Sequence, residues 1–146
     1  MSKVELSIVI NRPIEEVFAF LGNFENNPKW QSSSVEAKKI TEGPIGVGTT
    51  FQAITTILGR RINTKQEIID YESNRIVARK TISGPFPFET RAEFERVEGG
   101  TRVRGVITGE TSGFFKLADA LLERAIKRQF DSDLANLKDM MEAGAI

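Results

Sequence analysis

GFFKLADALLERAIKRQFDSDLANLKDMM, residues 113–141, decides the fold. Phe114, Phe115, Leu117, Ala118, Leu121, Leu122, Ala125, Ile126, Phe130, Leu134, Leu137, Met140 and Met141 recur at three- and four-residue steps. No proline interrupts them. The spacing predicts one amphipathic helix of roughly seven or eight turns, long for a globular protein. Nearly everything before it reads as strand. A long helix after a run of antiparallel strands needs one large apolar surface to lie on. A sheet curved around the helix would supply that surface and could enclose a hollow.

Upstream, Val4, Leu6, Ile8 and Ile10 alternate with Lys3, Glu5, Ser7 and Val9, the period of a strand with one apolar face. Pro13 marks a helix start. Glu15 and Glu16 fall in the first turn, where the helix dipole favours acids. Ile14, Val17, Phe18 and Leu21 form its stripe, and Gly22 ends it. Phe24 to Trp30 reads as a second short helix or a turn, closed by Pro28. Segments 35–42, 48–58, 61–71, 75–83, 86–97 and 101–112 are rich in β-branched and aromatic residues. Gly43-Pro44, Gly59, Ser73-Asn74, Gly84-Pro85 and Gly99-Gly100 separate them, and such short connections favour hairpins. Pro85 and Pro87 predict a strand that begins late or lies at an edge. The fold class is α+β: a strand, one or two short helices, six strands and a long helix, in one domain over 1–146.

Composition excludes a good deal. The 146 residues suit one domain that buries about 70% of the surface its unfolded chain exposes. No cysteine is present, so disulfides, thiolate metal sites and thiol nucleophiles are excluded. No histidine is present either, which removes the commonest general base and the usual zinc ligand. Twenty basic residues balance twenty acidic ones, so the chain lacks the basic field of a nucleic-acid binder. The start, MSKVELSIVINRP, has no signal-peptide pattern, and no window is apolar enough to span a membrane. The expectation is a cytoplasmic monomer, a weak dimer being the alternative, with no metal and no cofactor.

The chain resembles a known family along essentially its whole length. The residues that carry the likeness are Asn11-Arg12-Pro13-Ile14-Glu15-Glu16-Val17-Phe18, Pro28-Lys29-Trp30, Gly48-Thr49-Thr50-Phe51, Gly100-Thr101-Arg102-Val103 and the terminal helix through Leu137-Lys138. This looks like the START-like superfamily, the Bet v 1-type or SRPBCC group that includes polyketide cyclase/dehydrase-like proteins. The resemblance implies a helix-grip fold: a seven-stranded antiparallel sheet curled around the C-terminal helix, with two short helices after the first strand. It also implies a cavity for an apolar or aromatic small molecule, and places Trp30 at its mouth.

Candidate lining residues follow. Phe88, Thr90, Ala92 and Phe94 share one strand face, and Glu89, Arg91, Glu93 and Glu95 the other, so the first set looks inward. Thr64 and Gln66 share a face with Ile62 and Ile68. The opposite face carries Lys65 and Glu67, so Gln66 is read as a buried amide that needs partners. Phe24, Trp30 and Phe51 add aromatic surface, and Leu117, Leu121 and Ala125 lie on the helix half placed over the hollow. The proposed ligand-binding set is therefore Phe24, Trp30, Phe51, Gln66, Phe88, Thr90, Phe94, Leu117, Leu121 and Ala125. Lys80 and Arg79 lie on opposite faces of their strand; either could be an inward charge, but the expectation is a long side chain near a strand end whose charge reaches water. Tyr71, beside a turn, is read as lying away from the hollow. Gly43-Pro44-Ile45-Gly46-Val47-Gly48 leads into a strand, not a helix, so it is a turn and not a phosphate loop.

No catalytic constellation emerges. The expected function is binding, transport or sensing of a small hydrophobic or aromatic molecule, a lipid included. The alternative is a polyketide cyclase or dehydratase-like enzyme, which requires at least one inward charged or tyrosyl group. A chaperone-activator-type interaction module would instead show an apolar patch outside the sheet.

Overall fold

The computed structural model describes residues 2–57, 59–85, 87–109 and 119–146. In chain order it has β1 (Ser2–Ile10), α1 (Ile14–Leu21), a 3-10 helix (Phe24–Lys29), β2 (Ser34–Lys39), β3 (Thr50–Ile57), β4 (Arg60–Glu72), β5 (Ile76–Ser83), β6 (Phe88–Val97), β7 (Gly100–Gly109) and α2 (Asp119–Glu142). The seven strands form one sheet in the order β1-β7-β6-β5-β4-β3-β2, and every neighbouring pair is antiparallel. Strand β6 starts only after Pro87, as its prolines require. Pro13 sits at the N-cap of α1, just ahead of the first helical residue. Pro28 lies inside the 3-10 helix instead of closing it, and the Asn23 side chain caps that helix by accepting from Glu25 N. The predicted helix before Asp119, with Phe114, Phe115 and Leu117, lies outside the described residues.

The concave face is the apolar face of the alternation. Phe51, Ile68, Val77, Phe94 and Val103 are buried there, and Val17, Phe18 and Leu21 of α1 pack on one end. The Phe18 ring meets Phe94 at 5.0 Å and Tyr71 at 5.4 Å, both edge to face. Strand β4 shifts register twice against β5, between Lys65 and Gln66 and between Ile68 and Asp70. Such shifts bend a strand and re-aim its side chains. The second shift pairs Tyr71 with Val77, and Tyr71 packs against the core although it stands beside the turn at Ser73-Asn74.

Helix α2 runs alongside β1 in the same direction. Lys3 N donates to Glu123 Oε1 near one end, and Asn11 N donates to Glu142 Oε2 at the other. Rises of about 1.5 Å per helical and 3.4 Å per strand residue make both spans roughly 28 Å, so the two elements match in length. Leu134, Leu137 and Met141 bury the second half of the helix, as its stripe predicts. Full burial of Leu137 alone contributes about 2 kcal/mol. The polar stretch from Asp131 to Asn136 includes a tether to the body of the protein. Asp133 is buried and accepts from both the backbone N and the Oγ of Ser32, which fastens the helix to the loop after the 3-10 helix. Lys127 pairs with Asp131 and not, as its spacing also allowed, with Glu123.

Candidate functional site

Five elements bring the candidate residues together. Strand β4 holds Thr64 and Gln66 on the concave face, both buried. Gln66 stands opposite Phe51 on β3 and opposite Thr81 on β5. The Phe51 ring meets Phe24 of the 3-10 helix edge to face at 5.3 Å. Above Phe24 lies the guanidinium of Arg79, its Cζ 4.0 Å from the ring centroid. Arg79 Nε donates to Thr90 Oγ1 of β6 at 3.0 Å. One continuous surface therefore runs from Gln66 through Phe51, Phe24 and Arg79 to Thr90.

Arg79, not Lys80, is the inward charge on β5; Lys80 is exposed. The atoms crowding the guanidinium strip away water, and this desolvation lowers its pKa to about 10. It remains a cation at neutral pH. Among the described residues no carboxylate lies within ion-pair distance of it. Among the described residues, two polar side-chain atoms are buried without a partner: Trp30 Nε1 and Gln66 Oε1. Gln66 Nε2 donates to Thr64 Oγ1 at 3.1 Å. Turning the amide over would exchange its two ends and still leave one of them unpaired. The site thus offers a cation and an amide oxygen beside an aromatic lining, and the indole N–H of Trp30, the residue that ends the 3-10 helix of Phe24, is buried in the same core. Its chemistry is recognition and charge stabilisation. Among the described residues, no group of acidic side chains is arranged to hold a metal.

Of the expected set, Phe24, Trp30, Phe51, Gln66 and Phe94 are buried, and Phe88 and Thr90 are half-buried. Leu117 lies outside the described residues. Leu121 is 69% exposed and Ala125 is exposed too, on a different flank of α2 from Ile126 and Phe130, which pack against the core. The structure does not bring Leu121 and Ala125 to that stripe. Arg79 is the site residue that the expected set omits. Its only signal in the sequence was a basic residue directly after the apolar run Ile76-Val77-Ala78. Two surface hollows of about 260 and 300 Å³ lie elsewhere. One is walled by the charged outer face around Glu93 and Arg104, the other by the β1–α1 turn near Pro13 and Arg96.

Solved structures share this fold. A protein from Thermus thermophilus superposes with a TM-score of 0.83 at 19% identity, covering 99% of both chains. The Zhui aromatase/cyclase from a Streptomyces species gives 0.76 at 13%, covering 99% of this chain and 95% of its own. A START superfamily protein from Mycobacterium smegmatis gives 0.72 at 14%, covering 98% and 96%. No curated protein matches the chain in sequence. The family described as polyketide cyclase / dehydrase and lipid transport matches residues 1–142, and the chain belongs to it.

Proposed function

We propose that this chain binds a small hydrophobic or aromatic molecule between the concave face of the sheet and α2, with residues 1–146 acting as one domain. The observation that carries the reading is the pair of buried, unpartnered atoms, Trp30 Nε1 and Gln66 Oε1, within an aromatic lining. A buried polar atom left unpaired costs about 1–3 kcal/mol, and a guest that pairs it removes that cost. Binding sites of this kind are mostly apolar with a few convergent polar groups. In this reading Phe24, Trp30, Phe51, Gln66, Phe88, Thr90 and Phe94 contact the guest. Ile126 and Phe130 form the helical wall in place of Leu121 and Ala125. The family description, which names both lipid transport and cyclase chemistry, supports the class of guest. Native mass spectrometry of freshly purified protein tests the reading. A reproducible adduct of a few hundred daltons, released on unfolding, is expected. Bare protein that also resists saturation by any apolar compound would overturn it.

Arg79 favours a second reading, a cyclase-like enzyme. A desolvated cation could stabilise an enolate formed on a poly-ketone. That chemistry also needs a base, and a guanidinium with a pKa of about 10 cannot serve as one near neutral pH. No carboxylate approaches Arg79 among the described residues, so carriage is preferred. Conversion of a linear poly-ketone probe into a cyclised product would reverse that preference.

A further inference from the structure

We infer that the preferred guest is an aromatic carboxylate, its acid group seated on Arg79 and a ring hydroxyl paired with Gln66. The inference rests on the binding role proposed above and names its ligand class. A guanidinium carries five N–H donors in a planar fork. One of them, on Nε, is spent on Thr90 Oγ1, and the ring of Phe24 covers one side of the group. The terminal nitrogens have no hydrogen-bond partner among the described residues. They form the edge that matches a carboxylate in a two-bond grip. A desolvated cation without an anion is costly, and proteins pair such charges. Here the protein supplies no anion among the described residues, so the ligand is the source of the negative charge.

The body of the ligand follows from the rest of the surface. Gln66 stands opposite Thr81, two residues from Arg79 on the same strand, and Phe24 and Phe51 line the surface beside them, so the acid and the hydroxyl sit on one edge of a flat apolar core. Gln66 Oε1 accepts from the hydroxyl. A saturated fatty acid would satisfy Arg79 and leave Gln66 unpaired. A neutral aromatic would satisfy neither.

Calorimetric titration of the full chain with naphthoic acid, a hydroxynaphthoic acid, methyl naphthoate and decanoic acid tests this. Naphthoic acid should bind roughly 10- to 100-fold more tightly than its methyl ester, the range for a hydrogen bond to a charged group. The hydroxy acid should bind more tightly still, and decanoic acid more weakly than either aromatic acid. Arg79→Gln should erase the acid-over-ester preference. Should that variant not fold, the acid-to-ester ratio in the unaltered protein still decides the matter. Equal affinity for acid and ester would overturn the inference and leave the binding role standing. Tighter binding of decanoic acid would overturn the aromatic assignment. Binding of none of the four would overturn both the inference and the role it rests on.

Discussion

The guanidinium of Arg79 stands 4.0 Å above the ring of Phe24. Arg79 belongs to the sheet and Phe24 to the short 3-10 helix that follows α1, so this contact joins the cap to the floor of the concave face. A desolvated cation–π pair contributes about 2 kcal/mol, which offsets part of the cost of taking the charge out of water. What remains uncompensated is what a ligand would relieve.

Arg79→Met should therefore stabilise the empty protein. Methionine keeps a flexible stem and contacts aromatic rings well. Arg79 is half-buried, and replacing a partly desolvated charge that lacks an anion by a hydrophobe is neutral or stabilising, here by roughly 1 kcal/mol near pH 7. Urea unfolding checks this, and a loss beyond about 2 kcal/mol would contradict the role given to Arg79. The difference between the two proteins should also close at high pH. The folded chain releases the Arg79 proton from about pH 10, while the unfolded chain still holds it. Stability due to this group therefore rises with pH through that range. Preference for an acidic ligand should disappear over the same range.

Asp133→Ala removes the buried acceptor of two Ser32 donors. It leaves the Ser32 backbone N–H without its partner and unfastens the middle of α2. A loss of about 1–3 kcal/mol is expected in denaturant unfolding. Faster amide exchange should appear in α2 and in the loop at Ser32, and unchanged exchange in both places would remove the tether from the account.

Glu142 closes the far end of the strand–helix match. It accepts from Lys138 and from Asn11 N, while Lys138 also donates to Val9 O. The Lys138 hydrogen bond, followed by that from Asn11, holds the Glu142 carboxyl below its ordinary pKa. A depressed carboxylate contributes stability above the ordinary carboxylate range and loses it as pH falls through the folded value. Glu142→Gln should lower stability modestly at neutral pH and flatten the acid limb of the stability profile, because the contribution lost on acidification is already absent. An acid limb identical to that of the unaltered protein would show that the clamp carries no stability.

Gly100→Ala should be the most damaging small substitution. A Cβ at this position would lie 2.2 Å from Ile10 O and 2.8 Å from Asn11 Cα, both backbone atoms of the neighbouring chain segment. The clash cannot be relieved by a side-chain rotation, so a loss above about 2 kcal/mol follows. Gly105→Ala provides the contrast. Its added carbon meets Leu6 Cβ at 3.9 Å, an ordinary contact, and the thermal midpoint should stay close to that of the unaltered protein.

The architecture was legible because its period was clean. The alternation in β1, β4 and β6 and the three-to-four spacing of the last helix each reported a buried face, and turn residues separated the hairpins. The helix-grip arrangement itself came from the resemblance. Gln66 and Thr64 were legible because charged neighbours left them one face to take. Arg79 was ambiguous, since β5 buries Val77 and Ala78 in succession and alternation alone gives no direction there. Tyr71, set aside because it stands beside a turn, packs edge to face on Phe18, a contact that closeness to the turn did not reveal. Leu121 and Ala125 show the limit of a broad helical stripe. Apolar residues extend around much of the helix, and its docking on β1 selects Ile126, Phe130 and Leu137 from among them.

Trp30 gives the most direct test of the central claim. It is the chain's single tryptophan, and its buried indole N–H has no partner. Its side-chain N–H resonance can be followed while naphthoic acid is added. A saturable shift of that one signal is expected as the guest's ring packs into the same core, with backbone shifts at Gln66, Arg79 and Thr90 following the same binding curve. An indole signal that stays in place while the protein is saturated, or shifts confined to the outer face around Glu93 and Arg104, would contradict it.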